Sequence, residues 1–220
     1  IYLMLLLQKQ PYIIIIILFI IYYVHFRQLY SSGYRAKGNQ HLKYNKLMIV
    51  AHPDDELIFG GRFLLESRGW KVVCITNGTD KSEDKFRLNR YNRRNEFIRS
   101  MNILKCNYEI WDYEDNYFNS NHDTKLLNQL SDLLNDKEHD IIITHNADGE
   151  YGHIQHKTIC DLVKSLKPNN LYEFDTNKNI INPQYDIIMK LKYIYPSQIN
   201  VFDELDYYIR HQSLRYSEII

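Results

Sequence analysis

The sequence predicts an α/β protein with a Rossmann-like, mostly parallel sheet flanked by helices. Three observations carry that expectation. Short apolar runs at 46–51 (KLMIVA), 71–76 (KVVCIT) and 140–144 (DIIIT) have the length and continuity of strands buried on both faces. Amphipathic helical patterns alternate with these runs along the chain, which is the arrangement of successive βα units. At 220 residues the chain is long enough for one domain with a sizeable core, so it needs no disulfide staples.

Each element follows from local pattern. After the first run, Leu57, Gly61, Leu64 and Leu65 fall at helical spacing within 57–68, and Gly69 stops the helix. The second run ends at Asn77-Gly78. A long helix is expected over 86–104 and a third strand over 108–113. Leucines at 126, 127, 130, 133 and 134 predict an amphipathic helix over 124–134. The run 140–144 is the fourth strand, and a helix over 153–166 ends before Pro168. In the Tyr-rich tail, strands are expected near 171–175 and 185–195 and a helix near 203–212. There is no internal repeat.

Composition excludes more than it identifies. Lys plus Arg and Asp plus Glu both number 27, which argues against a protein that coats nucleic acid. Cys74, Cys106 and Cys160 are widely spaced with no CxxC pair, which excludes a disulfide framework and argues against a cysteine-built zinc site.

The N-terminus is strongly apolar. Residues 12–24 (YIIIIILFIIYYV) follow LMLLL at 3–7, but Gln8 to Pro11 interrupt them, and the unbroken run is 13 residues. About 20 are needed to cross a bilayer as a helix. A membrane anchor over 3–26 is the leading expectation. A cleaved signal peptide and a buried element of the globular domain are the alternatives, and no small-residue cleavage motif follows the run. Arg27, Arg35, Lys37, Lys43 and Lys46 flank it on the C-terminal side, which by the positive-inside rule keeps the following domain cytoplasmic. The expected organisation is a hydrophobic segment 1–30, a polar linker 31–45 and a domain 46–220.

The chemistry sits at two strand ends. The first strand runs into Ala51-His52-Pro53-Asp54-Asp55-Glu56 rather than a glycine-rich phosphate loop, which argues against a nucleotide-binding Rossmann domain. An imidazole and a carboxylate three residues apart suit a divalent metal, though an aspartate there is also an ordinary helix cap. The fourth strand runs into HNADGEYGHIQH (145–156), where His153 and His156 share one face of a starting helix. Ligands of open α/β sheets bind at the carboxyl ends of strands, so both sets face one edge. Three protein ligands and an open position are the pattern of catalytic zinc.

The paired motifs AHPDDE (51–56) and GHIQH (152–156), in this order on this strand pattern, resemble the zinc-dependent N-acetylglucosaminylphosphatidylinositol de-N-acetylases, the PIG-L or LmbE-like family. The resemblance covers about residues 46–166. It implies a Rossmann-like fold and removal of acetyl groups from N-acetylated amino sugars. It implies that His52, Asp55 and His156 hold zinc (another divalent metal suits the same ligands). Asp54 would then be the general base and His153 would polarise or protonate the tetrahedral centre. Spacing alone does not decide which aspartate binds metal.

Two further residues enter through the resemblance. Arg93-Arg94-Asn95-Glu96 resembles the family's R-x-x-E element, with Arg93 as a substrate contact, and Asp115 follows the third strand where the family often has an acid for sugar hydroxyls. Arg87, Arg90 and Arg94 form a basic face whose plain reading is solvation. His122, His139, His145 and His211 are expected in surface or packing roles. One departure stands out: the family often has a small residue where this chain has Tyr151, which would narrow the pocket or donate a hydroxyl.

The reading is a membrane-anchored zinc deacetylase acting on an N-acetylglucosamine conjugate, with the lipid-linked sugar at the cytoplasmic face of the endoplasmic reticulum as first expectation. The Asn77-Gly78-Thr79 sequon beside the site mildly favours that side. Other acetylated sugars, and a non-catalytic relative that binds sugar or metal, are the rivals. No nucleic-acid partner is expected.

Overall fold

The computed structural model describes Ile16 and residues 36–79, 88–115 and 124–217. The hydrophobic segment expected as an anchor lies outside the described residues apart from Ile16, as do Arg87 and His122. Among the described residues no helix is long and apolar enough to cross a membrane.

Residues from Arg35 onward form one compact unit. Its strands are β1 (Ala36–Gly38), β2 (Lys46–Val50), β3 (Trp70–Thr76), β4 (Asn107–Tyr113), β5 (Ile141–Thr144), β6 (Leu171–Phe174) and β7 (Leu214–Tyr216). They make one sheet in the order β1-β4-β3-β2-β5-β6-β7. Strands β2 to β6 pair in parallel, and β1 and β7 close the two edges antiparallel. The mostly parallel α/β architecture predicted from the sequence is what forms. The order reverses between β2 and β5, so the crevice beyond their carboxyl ends is the topological switch point where such sheets bind ligands.

The helices are α1 (Asp55–Ile58), α2 (Gly61–Glu66), α3 (Leu88–Leu104), α4 (Thr124–Asn135), α5 (Ile154–Ser165), α6 (Tyr185–Leu191), α7 (Ile199–Glu204) and α8 (Asp206–Arg210). Period-two alternation along the strands divides the core between the two faces of the sheet. Met48, Val50, Val72, Cys74, Ile110 and Ile143 pack on one side with Phe97 and Met101 of α3 and with Ile188, Tyr195, Phe202 and Ile209 of the tail. Leu47, Ile49, Val73, Ile75, Trp111 and Ile142 pack on the other with Leu126 and Leu130 of α4 and Ile159 and Val163 of α5. The three cysteines are buried and free.

Several expectations are corrected. The stretch 185–195 is helical, not a strand: α6 runs into a 3₁₀ turn at Lys192–Ile194. A short apolar run fits either period, and here tertiary packing decides, because Ile188 seats directly against Gly61 of α2, where a Cβ would meet it at 2.7 Å. The single helix expected over 57–68 is two, broken at Phe59-Gly60. The one expected near 203–212 is likewise split into α7 and α8. Strand β1 falls within the stretch expected as a linker, and β7 was not foreseen.

Strand β7 is held by one buried carboxylate. Glu173 accepts hydrogen bonds from Lys164 Nζ at 2.9 Å, Arg215 Nη2 at 2.8 Å and Ser217 Oγ at 2.7 Å. Burial raises its pKa, but these partners outweigh burial and hold it below the usual carboxylate range. A depressed folded pKa gives stability that is present above the unfolded value of about 4.3 and is lost as the pH falls through the folded one. Because Lys164 and Arg215 remain about one-third exposed, the effect is screened. Glu173→Gln is expected to cost about 1–2 kcal/mol in urea unfolding at pH 7. The difference from wild type should shrink as the pH drops below about 4.

Candidate metal centre

The loop after β2 and the loop after β5 meet at the switch point. Three acceptor atoms converge there. His52 Nδ1 lies 3.2 Å from Asp55 Oδ2 and 3.3 Å from His156 Nε2, and His156 Nε2 lies 3.4 Å from Asp55 Oδ2. Ligands at about 2.0–2.1 Å in tetrahedral zinc sites are about 3.3–3.4 Å apart, so the three atoms of this triangle have the spacing that such a site would need. Two imidazole nitrogens and a carboxylate oxygen are also a suitable donor set for zinc. All three side chains are buried.

The outer edge of each imidazole is already committed, which fixes which nitrogen faces the triangle. His52 Nε2 is 2.9 Å from Asp115 Oδ1 and 2.8 Å from Gln155 Oε1. Both are acceptors, so the proton sits on Nε2 and the Nδ1 lone pair points inward. His156 Nδ1 lies 2.6 Å from Glu150 Oε2, which leaves Nε2 free. A carboxylate behind each histidine is the usual support of a metal-ligating imidazole. Burial lowers the pKa of His52, but the Asp115 and Asp55 carboxylates overcome it and push it up to about 10, so the pocket favours a cation at this place.

Two other groupings of donors exist among the described residues: His52, His153 and His156, and Asp55, His145 and His156. The Ala51 N–H donates to His145 Nε2 at 2.9 Å, so that nitrogen's lone pair is occupied. Burial opposes and the Glu150 and Asp55 carboxylates favour a second proton on His145. A backbone N–H aimed at Nε2 nevertheless needs an acceptor there, so the neutral Nδ1–H form is the one that fits. His145 Nε2 also lies 3.4 Å from Asp55 Oδ2, but with its lone pair taken by the Ala51 N–H it braces the site.

Asp54 stands beside the triangle in a strained conformation, with φ +126° and ψ −31°. Non-glycine residues rarely adopt such backbone, and strain of this kind collects at functional sites. Its carboxylate accepts from Arg93 Nη2 at 3.1 Å. Burial pushes its pKa up to about 8 against the pull of Arg93. The loop is pinned from below by Glu56, which accepts from the Asp54 N–H at 3.0 Å, from Ser100 Oγ at 2.8 Å and from the Tyr195 hydroxyl at 2.5 Å. His153 rings the other side, 4.7 Å from His52 and 4.5 Å from His156 between ring centroids. Its Nδ1 is buried without a hydrogen-bond partner. Burial and the two neighbouring imidazoles lower its pKa to about 4.

The two residues expected to touch substrate are tied into this frame. Arg93 donates to the Gly78 carbonyl at 2.6 Å and the Pro53 carbonyl at 3.2 Å as well as to Asp54, and lies 3.5 Å from Asp115 Oδ2. Gly78 must be glycine: its φ is +74°, and a Cβ would sit 2.6 Å from Arg93 Nε. Asp115 bonds His52, as above, and keeps part of its side chain exposed. Glu96 of the same helix accepts from the Ser197 N–H and hydroxyl at 3.1 and 2.5 Å, so it anchors the tail. Tyr151 is half-exposed, with its ring 5.6 Å from His153 and 6.1 Å from Tyr208 of the tail. The sequon Asn77 is buried, and its amide donates to Asp112.

Sequence reasoning missed three members of the site. His145 was assigned a surface or packing role, yet it is fully buried and bonded on both nitrogens; its place directly after β5 was the signal. Gln155 and Glu150 gave no signal, because a buried carboxylate and an exposed one look alike in sequence.

The family model for PIG-L, GlcNAc-PI de-N-acetylase, matches residues 47–167. Among curated proteins the chain is 52% identical to the uncharacterized protein L374 of Acanthamoeba polyphaga mimivirus, covering 86% of this chain and 88% of that protein. It is 24% identical over 139 residues to the N-acetylglucosaminyl-phosphatidylinositol de-N-acetylase of Saccharomyces cerevisiae, covering 56% of this chain and 43% of the yeast protein. Among solved structures, N,N'-diacetylchitobiose deacetylase from Pyrococcus horikoshii superposes with a TM-score of 0.61 at 17% identity, over 79% of this chain and 84% of that one. GalB, a 4-carboxy-2-hydroxymuconate hydratase from Pseudomonas putida, does so at 0.56 and 16%, over 75% and 82%. Identities this low show a common fold and not a common reaction. The family model spans more than half of the chain and includes both strand-end loops, and the protein belongs to the PIG-L (GlcNAc-PI de-N-acetylase) family.

Proposed function

We propose that this protein is a zinc-dependent hydrolase that removes the acetyl group from an N-acetylglucosamine conjugate, with N-acetylglucosaminylphosphatidylinositol as the substrate. The observation that carries the reading is the triangle of His52 Nδ1, Asp55 Oδ2 and His156 Nε2, bordered by a strained aspartate and by His153, whose buried Nδ1 has no hydrogen-bond partner. Bound to these three residues, zinc would supply Lewis-acid chemistry, polarising the amide carbonyl and easing deprotonation of water at neutral pH. Asp54 accepts the proton of the attacking water. Burial raises its pKa, which suits it to pass that proton on to the departing amine nitrogen, and a cation held by the triangle would lower it enough for the carboxylate to take the proton first. Arg93 holds the Asp54 carboxylate in place. His153 is neutral at pH 7, so it serves as a hydrogen-bond donor to the oxyanion rather than as a strong acid. The C–O bond forms, the amide C–N bond breaks, and acetate and the free amino sugar leave. Asp115 and Arg93 border the place where sugar hydroxyls would bind.

The lipid-linked substrate rests on the family description and on the apolar stretch 3–26, which would hold the enzyme at the cytoplasmic face of the endoplasmic reticulum. Deacetylation of another N-acetylated sugar draws support from the name of the chitobiose deacetylase with the similar fold. The full chain, loaded with zinc, is to be assayed for acetate release from N-acetylglucosaminylphosphatidylinositol, free N-acetylglucosamine and N,N'-diacetylchitobiose. Release from the lipid-linked sugar is expected. Release from the other sugars alone keeps the chemistry and overturns the substrate, and release from none overturns the catalytic reading.

A further inference from the structure

Glu150 is costly in two ways. It is a non-glycine residue with φ +57°, inside a single distorted turn at Gly149–Gly152. Its carboxylate is also completely buried, and an ion out of water needs several partners to persist. All of those partners belong to the metal-site loops. Oε1 accepts the Asn146 N–H at 2.9 Å. Oε2 lies 2.6 Å from His156 Nδ1 and 3.1 Å from His145 Nδ1. The two imidazoles stack on each other, with centroids 3.8 Å apart and planes at 17°. The far nitrogen of His156 faces the triangle, and the far nitrogen of His145 accepts the N–H of Ala51, the neighbour of His52.

We propose that Glu150 is a positioning residue that fixes both His156 and His145 as Nδ1–H tautomers, aiming one lone pair at the metal and locking the other onto the loop that carries His52. One carboxylate thereby sets the geometry of ligands from both strand ends. The inference rests on the zinc site proposed above. A neutral amide cannot replace it. Glutamine has one acceptor oxygen, which can face either the histidine pair or the Asn146 N–H, and its NH₂ then opposes a donor on the other side. An exposed or merely packed glutamate would tolerate that change.

The test uses the full chain and zinc, with affinity read by competition against a chromogenic chelator. Wild type is expected to bind one zinc, and Glu150→Gln to bind it about 10–100-fold more weakly. Its cobalt(II) form should show a shifted visible spectrum; the buried donor left facing the glutamine NH₂ should also lower the unfolding midpoint of the metal-free variant, a loss that by itself leaves the cobalt spectrum of the folded protein unmoved. A second measurement does not depend on the variant folding. Imidazole ¹⁵N shifts of zinc-loaded wild type should show protonated Nδ1 at both His145 and His156. Equal zinc affinity and an unchanged cobalt spectrum in Glu150→Gln, or an Nε2–H tautomer at either histidine, would overturn the role of Glu150 and leave the zinc site standing. Failure of wild type to bind zinc would overturn both.

Discussion

Asp54→Ala should abolish turnover while leaving the metal in place. The carboxylate lies outside the triangle of donor atoms, so zinc stoichiometry is expected to remain at that of wild type. General-base catalysis is worth roughly 10²–10⁴-fold, and kcat for acetate release should fall by about that factor. The backbone adds a second consequence. Residue 54 sits at φ +126°, where a side chain gains nothing conformationally, so the alanine variant keeps the strain and loses the Arg93 contact that compensates it. Asp54→Asn, which keeps a hydrogen-bond acceptor for Arg93, should fold as well as wild type and still be inactive. Activity near wild-type level in the asparagine variant would remove Asp54 from the chemistry. Loss of zinc from it would make Asp54 a ligand instead.

The second large effect separates the two histidines that compete for the metal. His52→Ala deletes a corner of the triangle and should reduce zinc affinity by more than about 100-fold, beyond the range of an outer-shell change. His145→Ala removes a brace and should weaken binding by about 10–100-fold at most. Zinc also stabilises the folded chain in proportion to its occupancy, so wild type should show a rise in Tm on zinc addition and His52→Ala should not. The opposite pattern, with His145→Ala losing the metal and His52→Ala keeping it, would mean that Asp55, His145 and His156 form the ligand set.

The part of this architecture that could be read in the sequence is the part built from regular repeats. Apolar runs such as 46–51 and 71–76 become central parallel strands because they are buried on both faces, and that burial leaves an unbroken signature. The strand-end motifs were legible because parallel βα units bring successive carboxyl ends to one edge, which is how His52 Nδ1 and His156 Nε2 come to lie 3.3 Å apart despite a separation of 104 positions in the chain. Beyond β6, which falls at the strand expected near 171–175, the tail was not legible. Helices α6, α7 and α8 have seven, six and five residues, too few for a period to declare itself, and they are shaped by what they cover. The supporting partners were hidden for a different reason. Glu150, Gln155 and His145 are ordinary polar residues in sequence, and only burial beside a ligand gives each a direction.

The proposed reaction would depend on a metal held by His52, Asp55 and His156. The most direct test measures acetate released from N-acetylglucosaminylphosphatidylinositol by the full chain as isolated, after removal of metal with a chelator, and after return of one equivalent of zinc. The account predicts that release stops on chelation and recovers with zinc in wild type, and that zinc restores nothing in His156→Ala. Release that continues unchanged in the chelated protein would contradict it.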